Sequence, residues 1–283
     1  MLFPHTVCVV RGGGDLATGV IHRLHHAGFP LIVLELAKPR VVRRMVSVAQ
    51  AMFTGETQVG DLAARRMTLD EAVHSLDSAT VPVVADSEGA AIIQLKPSVI
   101  VDARMAKAPL DTTTDAAPFV VGLGPGFSVG LNCHAVIETN RGHDLGRVIW
   151  RGAAQPNTDR PEPVMGYGGE RVLRAPISGT LRAHREIGDV VQKGDLIARV
   201  DGQQIVAPFF GALRGLIYDG LPVTANEKIG DLDPRGRRDH CFTISDKSLA
   251  VGGGVVEAVL TWMQRSTTRR DDTKLPKDFF VLL

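Results

Sequence analysis

The chain has 283 residues, 44% of them hydrophobic and 22% charged, with a formal net charge of +1. That composition is one of an ordinary globular protein with room for one large or two modest domains, and it offers no overall basic field for nucleic acid or an anionic membrane. Aromatic content of 5% argues against a base-stacking platform, and the three scattered cysteines, Cys8, Cys133 and Cys241, form neither a disulfide framework nor a zinc spacing. No apolar run reaches membrane-spanning length and no signal-peptide pattern opens the chain, so the expected location is cytoplasmic.

The first element is a β-branched apolar run, Val7 to Val10, that breaks into Arg11, Gly12, Gly13, Gly14 and Asp15 before a helical pattern begins. Gly12, Gly14 and Ala17 stand at the G-x-G-x-x-G/A spacing of a dinucleotide-binding turn. One glycine permits a sharp exit from the strand, and another lets backbone N–H groups approach a pyrophosphate. A small residue at Ala17, followed by Thr18, keeps the helix close to the strand with its positive end toward the phosphate. The next apolar run, Leu31 to Leu34, ends in Glu35, placed to accept hydrogen bonds from a ribose. The same turn also serves doubly wound sheets that hold no nucleotide, so a phosphate ligand and a purely structural turn both stay open.

Leu16, Val20, Ile21 and Leu24 recur at helical spacing as far as Gly28. His22, His25 and His26 read as a solvated face of that helix, since a metal reading needs a third ligand that the sequence does not place; no metal is expected. Lys38, Arg40, Arg43 and Arg44 follow, either as an anion-holding cluster or as a solvated helical charge run. Thr68 and Glu71 form a capping box for a helix over 69–76. Strands over 81–85 and 98–101 come next, the second ending in Asp102, Arg104 and Lys107 at the edge where open sheets bind ligands. A further buried-type strand runs into Gly122, Gly124, Pro125 and Gly126, expected as the second wall of a cofactor site. Strands over 134–139 and 147–150 bracket Glu138, Arg141 and His143, which fit either acid–base chemistry or a hydrogen-bonded turn. Cys133 and His134 are neighbours on a strand, point to opposite faces and make no dyad.

The stretch 156–170, rich in proline and glycine, reads as a linker after a first domain over 1–155. Beyond it the chain repeats: Ala175-Pro176-x-x-Gly179-x-Leu181-Arg182 returns 32 residues later as Ala207-Pro208-x-x-Gly211-x-Leu213-Arg214. Gly188, Val191 and Ile197 return as Gly220, Val223 and Ile229. Two interlocked β halves over 171–240 resemble the lipoyl/biotinyl barrel-sandwich fold. Its carrier hairpin falls at Val200 to Gln204, which has no lysine, so neither biotin nor lipoate is expected. A strand and helix over 241–263 should return to the first domain, with Gly252 to Gly254 as a turn before the helix, and 264–283 reads as a flexible tail. The expected fold class is α/β: a Rossmann-like, doubly wound, mostly parallel sheet plus that small all-β domain.

The ordered set RGGGDLATG, VVRRMVS, VDARMAK, GLGPGF, ETNRGHDLGRVI, RVLRAPISG, GALRGLI and KIGDLDPRG, from Val7 to Trp262, resembles the YqeB-type family. Members are described as components of the selenium-dependent molybdenum hydroxylase system, and their first part is similar to XdhC/CoxI-type maturation factors. The resemblance implies an accessory protein that binds molybdenum cofactor or a nucleotide and has a molybdenum hydroxylase as partner. An NAD(P)-dependent oxidoreductase and a non-catalytic docking scaffold are the alternatives. Asp159 departs from the family pattern, which has glycine after Pro-Asn-Thr, and Cys133 is not a family feature.

Overall fold

A computed structural model describes residues 1–105, 111–156 and 162–272, with side chains as far as residue 267. The first half of the chain builds a nine-stranded sheet. Its elements are β1 (Cys8–Arg11), α1 (Asp15–His26), β2 (Leu31–Glu35), α2 (Ala51–Thr54), β3 (Glu56–Val59) and β4 (Leu62–Met67). Then come α3 (Leu69–His74), β5 (Thr80–Ala85), α4 (Ala91–Leu95), β6 (Val99–Asp102), β7 (Phe119–Leu123), β8 (Ala135–Ile137) and β9 (Val148–Ile149). The spatial order is β3-β4-β5-β2-β1-β6-β7-β8-β9. From β4 to β8 neighbouring strands run parallel, whereas β3 and β9 pair antiparallel at the two edges. Thr68 caps α3 with both halves of the capping box in place.

The second half continues with β10 (Val172–Arg174), β11 (Gly179–Ala183), β12 (Val190–Val191), β13 (Leu196–Val200) and β14 (Gln203–Val206). It closes with β15 (Gly211–Leu216), β16 (Pro222–Val223), β17 (Lys228–Asp233) and the helix α5 (Asp246–Asp272). These strands form two four-stranded sheets, β10-β17-β15-β12 and β14-β13-β11-β16, with antiparallel pairing throughout. A shift of 32 residues carries β11, β12 and β13 onto β15, β16 and β17, and so carries each sheet onto the other. Both sheets close on one core, in which Leu181, Leu213, Val191, Ile197 and Ile229 are fully buried. The β13–β14 turn is Asp201-Gly202, both with positive φ, the backbone of a tight hairpin turn.

The expected doubly wound, mostly parallel sheet beside a barrel-sandwich domain is therefore corrected. The chain makes a mixed nine-stranded sheet, antiparallel at both edges, and two separate four-stranded antiparallel sheets. Double winding needs a covering helix at each crossover. Here 3-10 turns at Arg44–Val46 and Val48–Gln50, a single-turn α2 and the β3–β4 hairpin fill the route from β2 to α3. No helix interrupts the route from β7 to β8. The arginines at 40–44 accordingly lie on loop and 3-10 backbone, not on a solvated helix.

One face of the large sheet is covered by α1 and α5, whose Val20, Ile21, Leu24, Val251, Val255 and Val259 are fully buried. The Trp262 ring stacks on Phe119 at 5.3 Å. The glycine triplet lies inside α5 instead of ahead of it, and the helix extends beyond the expected Met263 to Asp272. Side chains at two of the three positions would collide with backbone. A Cβ on Gly252 would stand 2.3 Å from the Gly19 carbonyl oxygen, and one on Gly254 would stand 2.1 Å from that of Gly146. The rest of the expected tail, 273–283, lies outside the described residues. On the other face α3 and α4 cover Val9, Ile32, Ile100 and Val120. Among the described residues no helix is long and apolar enough to cross a membrane.

Candidate functional site

The turn between β1 and α1 is held from several sides. Gly12 has φ +96°, and a Cβ there would press on the Ala103–Arg104 backbone at 3.2 Å. The Gly13 N–H donates to Glu35 Oε2 at 2.6 Å, and the Leu36 N–H donates to Oε1 at 2.7 Å. Burial pushes the Glu35 carboxyl up, with these two N–H groups pulling against it. Glu35 therefore clasps the turn itself, whatever else it accepts. Thr18 Oγ1 donates to the Gly14 carbonyl at 2.8 Å and accepts from the Val48 N–H at 3.0 Å, while Ala17 is buried beneath. Gly14 differs from its neighbours: nothing stands within 4 Å of where its Cβ would be. Its φ of −67° is open to any residue.

Strand alternation divides the other expected residues. Arg11 shares the face of Val9, toward α3 and α4, and donates to both carboxylate oxygens of Asp111 at 3.0 and 2.9 Å. Arg104 pairs with the fully buried Asp102 and reaches Asp111 as well. The Arg11 hydrogen bonds bring Asp111 down to about 2 against partial burial, and Arg104 adds to the effect. Beside this cluster a cavity of about 840 Å³ is lined by Arg11, Gly89, Ile92, Asp111, Thr112 and Pro118. Arg11 and Asp111 thus line this cavity, and Arg104 joins Asp111 to the buried Asp102 beside it. Lys107 lies outside the described residues.

The second glycine loop has a packing explanation at two of its three positions. A Cβ on Gly122 would overlap the Phe127 ring at 2.1 Å, and one on Gly124 would overlap Thr139 Oγ1 at 2.3 Å. Gly126 is exposed, and its carbonyl accepts from Asn132 Nδ2 at 3.0 Å. Glu138 is buried, with its carboxylate taking the N–H groups of Asn140 and Gln155. That arrangement is a hydrogen-bonded turn rather than an acid–base pair with His143.

A constellation that sequence reading does not assemble sits where the large sheet meets β15 and β17. Arg43 donates to Asp15 at 3.2 Å and to the His240 carbonyl at 3.4 Å. Arg43 Nε and His240 Nδ1 are both buried without a hydrogen-bond partner among the described residues. Arg214 pairs with Asp231, and Arg235 holds the fully buried Asp233 at 2.9 and 2.6 Å. Arg141 forms a two-pronged pair with Asp246 at 2.8 Å on each arm, drawing that carboxyl well below its ordinary range. The next residue, Lys247, closes no ion pair among the described residues. Burial pulls its ammonium below the usual lysine range; Asp15 and Glu138 oppose that, and Arg141 adds to it.

The junction is stitched by further contacts. Arg40 pairs with Glu227, Arg44 Nε donates to the Leu216 carbonyl at 2.8 Å, and Phe53 stacks on Tyr218 at 3.9 Å. Arg43, Arg141, Arg214 and Arg235 come from four separated stretches, and the one signal that links them in sequence is their place in the ordered motifs. The three thiols take no part, since burial raises Cys8 and Cys241 and pushes Cys133 up to about 11. None is poised as a thiolate.

No family model matches the chain. Solved structures show distant likeness. An aspartoacylase family protein from Mesorhizobium loti is 9% identical with a TM-score of 0.26, the match covering 81% of this chain and 84% of that one. A succinylglutamate desuccinylase from Silicibacter sp. is 12% identical with a TM-score of 0.26, covering 81% and 85%. The "Uncharacterized protein YqeB" of Escherichia coli (strain K12) is 47% identical over 262 residues, 92% of this chain. The chain spans about half the length of that relative, 48% of it. The chain is therefore similar to YqeB over most of its own length and over about half of YqeB's.

Proposed function

We propose that the chain is an accessory protein of a selenium-dependent molybdenum hydroxylase system that holds a phosphate-bearing cofactor, molybdenum cofactor or a nucleotide. The reading of an accessory role rests on the ordered YqeB-type motifs. The binding reading rests on one observation: Gly14, open at the start of α1, lies beside the Arg43 guanidinium, and Arg43 Nε and His240 Nδ1 are buried there without a hydrogen-bond partner among the described residues. A helix N-terminus favours an anion, and Arg43 Nε and His240 Nδ1 are unsatisfied polar atoms of the kind a ligand oxygen satisfies. Lys247, near Asp15 and without an ion-pair partner among the described residues, supplies a point charge. When bound, the cofactor would bring its own redox or ligand chemistry; this chain's residues would hold its phosphate and orient it toward a partner enzyme.

Two measurements test the binding reading. Native mass spectrometry of protein purified from its own cells should carry a pterin or nucleotide mass; bound NAD(P) that exchanges hydride would favour the oxidoreductase alternative. Calorimetric titration with ADP, NAD+ and inorganic pyrophosphate should then compare wild type with Gly14→Val and Lys247→Met. Gly14→Val has room to fold and should block backbone approach, giving loss of binding with only the small drop in melting temperature that a weaker N-cap brings. Lys247→Met should weaken binding about ten- to hundredfold, the worth of one charge-assisted hydrogen bond. Unchanged affinity in both variants would sink the reading. The pH dependence has a defined sign. Lys247 binds an anion only when protonated, so affinity should fall as pH rises through a value below the ordinary lysine range, and binding should take up protons.

A further inference from the structure

On α1, His22 and His26 are one turn apart and face the same way, their ring centroids 4.3 Å apart. The β3–β4 turn brings Asp61 to both of them. Its Oδ1 lies 3.2 Å from His22 Nε2 and its Oδ2 lies 3.3 Å from His26 Nε2. One ligand atom from each of the three residues lies within 4.8 Å of the others. Zinc bound to imidazole nitrogen and carboxylate oxygen at about 2.0–2.1 Å puts neighbouring tetrahedral ligand atoms about 3.3 Å apart. The two imidazoles approach different oxygens of the Asp61 carboxylate, each at about that edge length, and a small turn of the carboxylate would present one oxygen to an ion between them. His22 Nδ1 is buried and unpartnered, so His22 can reach a ligand only through Nε2. His26 and Asp61 are exposed, leaving a solvent side where further ligands can enter.

We infer that His22, His26 and Asp61 form a binding site for a divalent transition metal of the zinc, cobalt or nickel type. The two imidazoles and one carboxylate supply three ligands, and the fourth position opens to water or to a group from outside. Imidazole with carboxylate suits these ions better than magnesium or calcium, which require oxygen shells. The bound ion would pin the far end of α1 to the β3–β4 hairpin, at the edge of the sheet.

The test uses the full chain stripped with a chelator and then titrated with Co2+ under visible absorption, with Zn2+ as competitor. Wild type should take up one Co2+ per chain, develop ligand-field bands, release the ion to Zn2+ and melt at a higher temperature with Zn2+ present. His26→Ala and Asp61→Asn should each bind at least about tenfold more weakly, as loss of a direct ligand should cost no less than loss of an outer-shell partner. They should also lose the Zn2+-dependent rise in melting temperature. Both positions are exposed, so the metal-free variants should melt as wild type does, and His143→Ala should keep the full response. The absence of a Co2+ spectrum in wild type would overturn the site, as would His26→Ala and Asp61→Asn binding at wild-type strength.

Discussion

Gly254→Ala is expected to destabilise the protein while the neighbouring Gly253→Ala stabilises it. A Cβ at 254 would stand 2.1 Å from the Gly146 carbonyl oxygen and 3.0 Å from Ile137 Cγ2. The obstacle is backbone, which cannot swing aside as a side-chain end can. The helix must lift off the sheet, and overpacking of that kind costs typically about 1–3 kcal/mol, with the upper end expected here. At 253 nothing stands within 4 Å of the added methyl group. Alanine there removes backbone freedom from the unfolded chain and gains about 0.5–1 kcal/mol of helix propensity. Gly252→Ala, with its Cβ 2.3 Å from the Gly19 carbonyl oxygen, should behave like the 254 variant. Thermal and urea unfolding of the three variants side by side would show the alternation in sign. Three equal shifts would mean that α5 does not pack on Gly19 and Gly146 through these glycines.

Asp233→Asn is expected to lower stability by about 3 kcal/mol at neutral pH, the low end of the range for breaking a buried pair. Asp233 is fully buried and receives the Arg235 guanidinium on both oxygens, with Arg214 at 3.5 Å. The low end applies because Arg235 is 37% exposed and Arg214 keeps its pair with Asp231. Burial works to raise the Asp233 carboxyl, but Arg235 and Arg214 outweigh it and bring it to about 2, below the ordinary 3.8. A carboxyl with a depressed folded-state pKa stabilises above its unfolded value and ceases to do so as pH falls through the folded one. The gap between wild type and Asp233→Asn should therefore be full at neutral pH and narrow between about pH 4 and 2. Urea unfolding at several pH values measures that gap directly; a gap that did not narrow would show that the pair contributes through shape and not through charge.

The position of Asp233 in the repeat gives this residue a second significance. The shift of 32 residues carries Asp201, at the exposed β13–β14 turn, onto Asp233. The two halves thus use one turn position in opposite ways. The first half leaves it in solvent, and the second drives it into the ion-pair cluster facing Arg43 and His240. A duplicated β unit has become asymmetric at the point where it meets the large sheet.

Local patterns made much of the chain legible. Apolar β-branched runs marked β1, β2, β5, β6 and β7, the Thr68–Glu71 pair marked the start of α3, and a constant offset marked the β repeat. These signals are local because each is written in a few consecutive residues: a period, a cap, a turn. The β3–β4 hairpin and α4 escaped, since β4 carries two exposed arginines and α4 is only five residues long. The glycine triplet was legible as glycine but not as helix. Its reason lies across the interface in the backbone oxygens of Gly19 and Gly146.

The amino-acid sequence by itself determined the central strands of the large sheet, the start of α3, the β repeat, and a glycine turn shaped for close backbone approach. Tertiary structure alone decided what that turn faces. Strand alternation sent Arg11 to the cavity side, where Asp111 links it to Arg104, while chain return brought Arg43, Arg141, Arg214, Arg235 and Lys247 together at the junction near the start of α1. It also brought Asp61 to His22 and His26. A side chain's chemistry is fixed by its residue type, but its burial and partners come from segments scores of residues away. Those partners set which charges are cancelled and which remain for a ligand.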